Sequence, residues 1–210
     1  ESTTISLWTT IKAGGWNGAL IVLMSCGAVA LIVEHFLSIR RDRLIPAPVV
    51  DMLDAQLDQK QYETARATCK EDDSFLCQIV AAGLKHIDSM FGFFDMQSAM
   101  QEVSEREVSR LYRKLEYLTF IAATAPMLGP LGTVTDMISS LNVIAATEGT
   151  AKPSQLAGGI SEALVTTCMG LIVAIPTSFF VSFFRNRIES IVSEAESVVE
   201  KLMGRFRNKG

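Results

Sequence analysis

Three long stretches of the sequence contain no charged side chain, namely residues 13–33, 117–135 and 163–184. A helix rises about 1.5 Å per residue, so roughly 20 apolar residues cross a bilayer core of about 30 Å. The first and third stretches reach that length, and the second continues past Asp136 into further apolar residues. The pattern predicts an all-α membrane protein with three transmembrane helices.

The remaining segments are polar, with apolar residues at helical spacing. Residues 49–90 follow this pattern in separate pieces, which predicts two or three short helices. Residues 96–113 are highly charged and lead into the second span without Pro or Gly, and residues after the third span keep an apolar stripe. We therefore expect spans two and three to continue as long helices outside the membrane. We expect Pro46 and Pro48 to stop the helix of span one.

Basic residues cluster at one end of each span, after span one, before span two and after span three, while Lys152 is the single basic residue between spans two and three. The positive-inside rule places these clusters in the cytoplasm and puts both the N-terminus and the connection between spans two and three on the outer side of the membrane. In chain order the predicted segments are an outer amphipathic segment (1–15), span one (16–39), a cytoplasmic helical segment (40–116), span two (117–146), an outer connection (147–157), span three (158–184) and a cytoplasmic C-terminal helix (185–210).

Composition narrows the possible functions. Hydrophobic residues make up 49% of the chain and the formal net charge is −4, with no basic patch interleaved with aromatic residues, which argues against nucleic-acid binding. The four cysteines match no zinc spacing, and the two histidines are peripheral. The sequence contains no phosphate-binding loop, no paired catalytic carboxylates and no nucleophile with a histidine partner. We expect no enzymatic activity, no cofactor and no metal.

Small and weakly polar residues form one stripe on each of spans two and three. At helical spacing these are Ala122, Pro126, Gly129, Thr133, Asp136 and Ser140 on span two, and Ala163, Thr167, Gly170, Ala174 and Ser178 on span three. Such stripes either let helices pack closely or face a polar pathway. We also expect Pro126 and Pro176 to bend or loosen their helices, because each removes a backbone hydrogen bond.

Two acids lie within or beside these spans. A carboxylate at mid-bilayer costs about 2.5–3.5 kcal/mol on insertion scales, so it normally faces a partner or water. Glu162 either caps the first turn of its helix, where the helix dipole favours an anion, or faces a polar pathway. Asp136 either faces a hydrated lumen or marks the point where its helix leaves the membrane.

The motifs APMLGPLGTVTDMI (residues 125–138) and LAGGISEALVTTCMGLIVAIP (residues 156–176) resemble the paired signature of the MotA/TolQ/ExbB proton-channel family, closest to its ExbB and TolQ branch. The resemblance implies a homopentameric motor subunit of the bacterial inner membrane. Such a ring encloses helices of an ExbD- or TolR-like single-span partner, whose aspartate carries the ion. The proton motive force would then drive TonB-dependent transport or a related outer-membrane process, with a TonB-like protein as a further partner.

The resemblance also implies residue roles. Thr133 and Thr167 would line the ion pathway, with Glu162 near its outer end. Asp136 stands where the family more often has glycine, and this additional acid would either enrich cations at the outer mouth or pair with a cation of the partner. H⁺ is the expected ion and Na⁺ the alternative. Helix packing and partner contact would fall to Pro126, Gly129, Gly132, Ala163, Gly170, Ala174 and Pro176.

Three other interpretations remain open at this point. A non-conducting membrane scaffold would use the small stripes for packing alone. A carrier that binds a small solute itself predicts an internal repeat or a broken helix at mid-membrane, and the sequence contains neither. A MotA-like stator subunit would ordinarily have a larger cytoplasmic segment than residues 40–116.

Overall fold

The computed structural model describes residues 15–87, 93–146 and 153–209, and these residues are helical with short turns and no strand. Most of the predicted N-terminal segment (1–14) and part of the predicted connection between spans two and three (147–152) lie outside the described residues. The helices are α1 (Gly15–Ser38), α2 (Arg41–Leu44), α3 (Ala47–Asp58), α4 (Tyr62–Glu71), α5 (Phe75–Lys85), α6 (Phe93–Ala146) and α7 (Pro153–Met203), followed by a 3-10 helix (Gly204–Lys209). The prediction of an all-α fold is confirmed.

Three helices, α1, α6 and α7, are long and apolar enough to cross a membrane, as predicted. The prediction that spans two and three continue as long helices is also confirmed, because in α6 and in α7 the apolar and the charged parts form one uninterrupted helix. The helix of span three begins at Pro153 and therefore before the predicted boundary at residue 158. Proline suits the first helical position, since its fixed φ is already helical and its missing N–H has no partner there.

The prediction that Pro46 and Pro48 stop the helix of span one is wrong. The helix α1 ends at Ser38, and the four-residue helix α2 follows before either proline. Pro46 is instead the extended residue that precedes α3, and Pro48 lies in the first turn of α3. The physical reason is again the fixed φ of proline, which favours the start of a helix as strongly as it disfavours the interior.

The chain divides into two compact units. We call the first the span unit, formed by the described residues of 1–34 and 116–182, and the second the charged unit, formed by those of 35–115 and 183–210. Both α6 and α7 contribute to each unit.

A continuous apolar core holds the charged unit together. Its fully buried side chains include Leu53 of α3, Leu76 and Val80 of α5, and Ile188 and Leu202 of α7. At the start of α5 the Cys77 N–H donates to Ser74 Oγ (3.4 Å), so the N-terminal donors are capped as this residue type favours. This unit therefore packs as helices around a buried apolar core.

Ion pairs surround that core. The Arg41 guanidinium donates through Nε and Nη2 to Glu194 Oε1 at 2.9 and 2.6 Å, and this contact raises the pKa of Arg41. Arg205 pairs with Asp54 (Nη2 to Oδ1, 2.6 Å) and with Asp58 (Nη1 to Oδ1, 2.7 Å). These pairs connect the C-terminal part of the chain to α2 and α3, which lie in its first third.

Candidate ion pathway

The close contact between α6 and α7 in the span unit is built on glycines. A Cβ placed on Gly170 would lie 2.7 Å from the carbonyl oxygen of Ala125, and one on Gly129 would lie 2.8 Å from the Cα of Thr167. A Cβ on Gly132 would lie 2.6 Å from Cγ2 of Thr166. Contact residues with increasing numbers on α6 meet residues with decreasing numbers on α7, so the two helices are antiparallel. Only residues without a side chain allow backbones this close.

The buried face of α7 differs in detail from the predicted stripe. Ala163, Gly170 and Ala174 are buried as part of it, but Thr167 is half-buried and Ser178 is exposed. Thr166 and Thr177 are fully buried instead. The 3.6-residue period allows either Thr166 or Thr167 to lie on the face of Ala163 and Gly170, so the sequence pattern could not distinguish them.

The predicted pathway threonines both lie beside the glycine contact. Thr133 is half-buried, one position after Gly132, and its hydroxyl donates to the Pro130 carbonyl at 2.7 Å. The Thr167 hydroxyl donates to the Ala163 carbonyl at 3.4 Å. A hydroxyl that donates to its own helix keeps lone pairs free to accept a hydrogen bond. The arrangement can therefore offer acceptor oxygens to water or to an acid at the helix surface.

Asp136 lies further along α6, where the structure is more polar. Its Oδ2 is buried and has no hydrogen-bond donor within the part of the chain that the structure describes. The Ser140 hydroxyl donates to the Asp136 carbonyl (2.9 Å) and lies against Gly159 of α7. Asp136 is thus half-buried close to the contact between α6 and α7. Both interpretations of it, that it faces a hydrated lumen and that it marks the membrane exit, stay predictions.

The span-one helix adds a polar residue that the sequence patterns did not single out. Asn17 is 4% exposed, and its side-chain Nδ2 donates to Thr135 Oγ1 at 3.1 Å. The Thr135 hydroxyl itself donates to the Gly132 carbonyl at 2.8 Å. A lone asparagine at the start of an apolar span is the sequence signal that could have indicated such a bond, because buried amides need partners.

Glu162 belongs to α7, and its side chain lies outside the described part of the structure. The helix starts at Pro153, which makes Glu162 its tenth residue. The interpretation that Glu162 caps the first turn is therefore wrong, because the dipole effect on a carboxylate fades within the first turn. Its predicted role in the ion pathway stays a prediction.

Prolines interrupt the hydrogen-bond ladders of both helices without ending them. Pro126 and Pro130 lie within α6 and Pro176 lies within α7. Each removes one N–H donor from the helix interior. Nearby hydroxyls bond to the backbone of the same turns, since Thr133 donates to the Pro130 carbonyl and Thr177 to the Val173 carbonyl (2.6 Å). Neither of these bonds replaces one that a proline removes, because each proline frees the carbonyl four residues before it.

Groups of three or more metal-ligating side chains that could bind a metal ion do not occur among the residues the structure describes. The candidate site thus consists of two antiparallel helices in glycine contact, with hydroxyls beside the contact and a carboxylate near one end.

Comparison with other proteins shows several relatives of this chain. It is 36% identical over 104 residues to the biopolymer transport protein ExbB of Xanthomonas campestris, covering 50% of this chain and 41% of that protein. It is 28% identical over 179 residues to ExbB of Salmonella typhimurium, covering 81% and 70%. The Tol-Pal system protein TolQ of Pseudomonas aeruginosa is 27% identical over 148 residues, covering 66% and 64%. The match thus spans less than half of the Xanthomonas protein.

Residues 71–197 match the family described as the MotA/TolQ/ExbB proton channel family. The matched region includes α5, all of α6, most of α7 and both motifs of the candidate pathway. Because it comprises more than half of the chain, the chain belongs to the MotA/TolQ/ExbB proton channel family.

Proposed function

We propose that this chain is the ring-forming subunit of an ion-driven motor in the bacterial inner membrane. Five copies would enclose the single-span helices of an ExbD- or TolR-like partner, and the proton motive force would be coupled to TonB-dependent transport or a related outer-membrane process. A TonB-like protein would be a further partner. Family membership and the relatives named ExbB and TolQ support this proposal.

The observation that carries the proposal is the placement of hydroxyls beside the glycine contact. Thr133 and Thr167 are half-buried in one chain, and each donates within its own helix. Their remaining lone pairs can accept a hydrogen bond from a protonated acid or from water. A partner helix that brings an aspartate to this surface would meet acceptor oxygens there, rather than hydrocarbon.

Asp136 adds to the electrostatic side of the proposal. A buried carboxylate oxygen without a donor among the described residues is costly, and a proton, a cation or water would lower that cost. An acid in such a position attracts cations to the mouth of a pathway. H⁺ is the proposed ion, with Na⁺ as the alternative, since carboxylate and hydroxyl oxygens suit both.

The outer surfaces of α6 and α7 are suited to a ring in a bilayer. Large apolar side chains are exposed along both helices, including Met127, Leu131 and Val134 on α6 and Ile172, Ile175 and Phe179 on α7. In a membrane protein such faces contact lipid or neighbouring subunits. The proposed orientation follows the basic residues, with the N-terminus and the connection between spans two and three in the periplasm and both charged segments in the cytoplasm.

The test is ion flux through liposomes that contain this protein together with its ExbD-like partner. We expect flux that needs both proteins and that falls at least about fivefold for Thr167→Val and Thr133→Val, since removal of a functional hydroxyl costs on the order of 1–3 kcal/mol. Thr177→Val is the matched control, because Thr177 is fully buried in α7 and donates to its own backbone. Equal losses in Thr167→Val and Thr177→Val would contradict a specific pathway role.

A non-conducting scaffold is the second candidate, and one observation favours it. The closest contacts of Gly129, Gly132 and Gly170 are all made within the chain, between α6 and α7. The small stripes thus have a packing use that needs no ion pathway. Under the scaffold hypothesis, Thr133→Val and Thr167→Val leave ion-coupled activity unchanged while the complex still assembles.

A further inference from the structure

A cavity of about 380 Å³ opens in the charged unit beside the ends of two predicted spans. Ser38, the last residue of α1, lines one side of it. Arg110 and Lys114 line another side, a few residues before span two is predicted to begin at residue 117. Arg43 of α2 completes this cationic set. Ser38 and Lys114 thus stand within three positions of the predicted boundaries of spans one and two, which is where lipid headgroups are expected.

The charges around the cavity favour an anion. Arg43, Arg110 and Lys114 line it, together with the acidic Asp73 and Glu107. The three cations exceed the two acids by one charge, and the Glu107 carboxylate also lies 3.6 Å from Arg110 Nη1 and 3.7 Å from Nε of Arg106, which is not part of the lining. The Arg43 side chain forms no hydrogen bond or ion pair with any other residue that the structure describes, and it is exposed. Its guanidinium is thus available to a ligand.

We propose that this cavity binds the phosphate group of an anionic phospholipid headgroup. Arginine is suited to phosphate because its planar fork can donate two parallel hydrogen bonds, and lysine adds a compact charge. Basic pockets beside transmembrane helices on the cytoplasmic face are a recurrent way to bind anionic lipids. The polar lining next to Ser38 would receive the headgroup. The proposal does not depend on ion conduction.

The test uses the purified full chain, stripped of lipid and then given phosphatidylglycerol or phosphatidylcholine, with bound lipid counted by native mass spectrometry. We expect retention of phosphatidylglycerol in preference to phosphatidylcholine. Arg43→Gln and Arg110→Gln should each lower that retention about fivefold, and adding Lys114→Gln should lower it further. Arg43→Lys keeps the charge and should retain most of the lipid.

The matched control is Arg106→Gln, which removes a charge one turn away and contacts the same Glu107 without lining the cavity. Retention that falls as far in Arg106→Gln as in Arg110→Gln, or that survives the loss of all three cations, would overturn the proposal. Circular dichroism and gel filtration of each variant show whether it is folded.

Competition with inorganic phosphate distinguishes a lipid site from a site for soluble phosphate compounds. If inorganic phosphate displaces phosphatidylglycerol from the wild type at low millimolar concentration, the cavity is a site for soluble phosphate compounds and the lipid assignment is wrong.

Discussion

The span unit and the charged unit are held together by different kinds of contact. In the charged unit, large side chains such as Leu76 and Ile188 are fully buried, and ion pairs such as Arg41–Glu194 lie around them. In the span unit, α6 and α7 meet through Gly129, Gly132 and Gly170, while large apolar side chains are exposed. The same two helices therefore pack by opposite rules in their two halves.

The difference follows from the solvent of each half. In water, burying large apolar side chains is the main driving force, at about 25 cal/mol per Å². In lipid, the surroundings are as apolar as the protein, so that driving force is absent and close backbone approach and internal hydrogen bonds take its place. The charged unit should therefore be most sensitive to the loss of large side chains. The span unit should be most sensitive to small side chains added at the glycines between α6 and α7.

The largest effect is expected in the charged unit from Leu76→Ala. Leu76 is fully buried in α5, so the truncation should lower the free energy of unfolding by about 2–5 kcal/mol, as measured by denaturant titration in mild detergent. Met52→Ala in the same unit is the control, since Met52 is 51% exposed and should change stability by no more than about 0.5 kcal/mol. Similar losses of stability in Leu76→Ala and Met52→Ala would show that Leu76 is not part of a tightly packed core.

The next largest effect is expected in the span unit from a single added methyl group. Gly170→Ala places its Cβ against the Ala125 carbonyl oxygen, which cannot move without shifting α6, so we expect a loss of about 1–3 kcal/mol in the same titration. Gly158→Ala on the same helix meets no heavy atom within 4 Å. It should be neutral or stabilise α7 by up to about 1 kcal/mol.

Gly83→Ala sharpens this comparison between the units. Its Cβ would lie 2.7 Å from Met100 Sδ, the same separation as at Gly170, but the neighbour is a flexible side chain instead of a backbone oxygen. Methionine adapts readily to a change in shape, so Gly83→Ala should cost less than Gly170→Ala. If the order is reversed, backbone proximity is not what makes the span unit intolerant of methyl groups.

A smaller effect is expected from the ion pairs of the charged unit. Arg205→Gln removes contacts to Asp54 and Asp58, which are partly exposed, so the loss should be about 0.5–1 kcal/mol and should shrink in high salt. Arg106→Gln removes a looser pair, at 3.7 Å, and should leave stability unchanged. If the loss of stability in Arg205→Gln does not depend on salt, then the Arg205 side chain stabilises the unit by packing and not by its charge.

The smallest effect is expected from the buried hydrogen bond of the span unit. A double-mutant cycle with Asn17→Ala and Thr135→Val should give a coupling free energy of about 0.6 kcal/mol, the average for such bonds between membrane helices. The unfolding titration again provides the measurement. A coupling indistinguishable from zero would mean that the 3.1 Å contact between Asn17 Nδ2 and Thr135 Oγ1 adds nothing to stability.

The long helices could be predicted because their signals are local. Charge-free stretches of sufficient length identify the spans, and continuous helical spacing indicates that α6 and α7 extend beyond them. Proline was the less certain signal. Pro46 and Pro48 begin a helix, whereas Pro126 and Pro176 lie within one, and the sequence around each proline does not distinguish these outcomes.

By itself the sequence determined the all-α fold, the three apolar helices and the two motifs of the proton channel family. Only the tertiary structure decided that Thr166 is buried beside Gly132 while Thr167 stays half-buried, and that Asn17 reaches Thr135. The physical reason is the helical period. It leaves a residue free to point to either side of a packing face until a neighbouring helix, placed by close contacts elsewhere, selects one side.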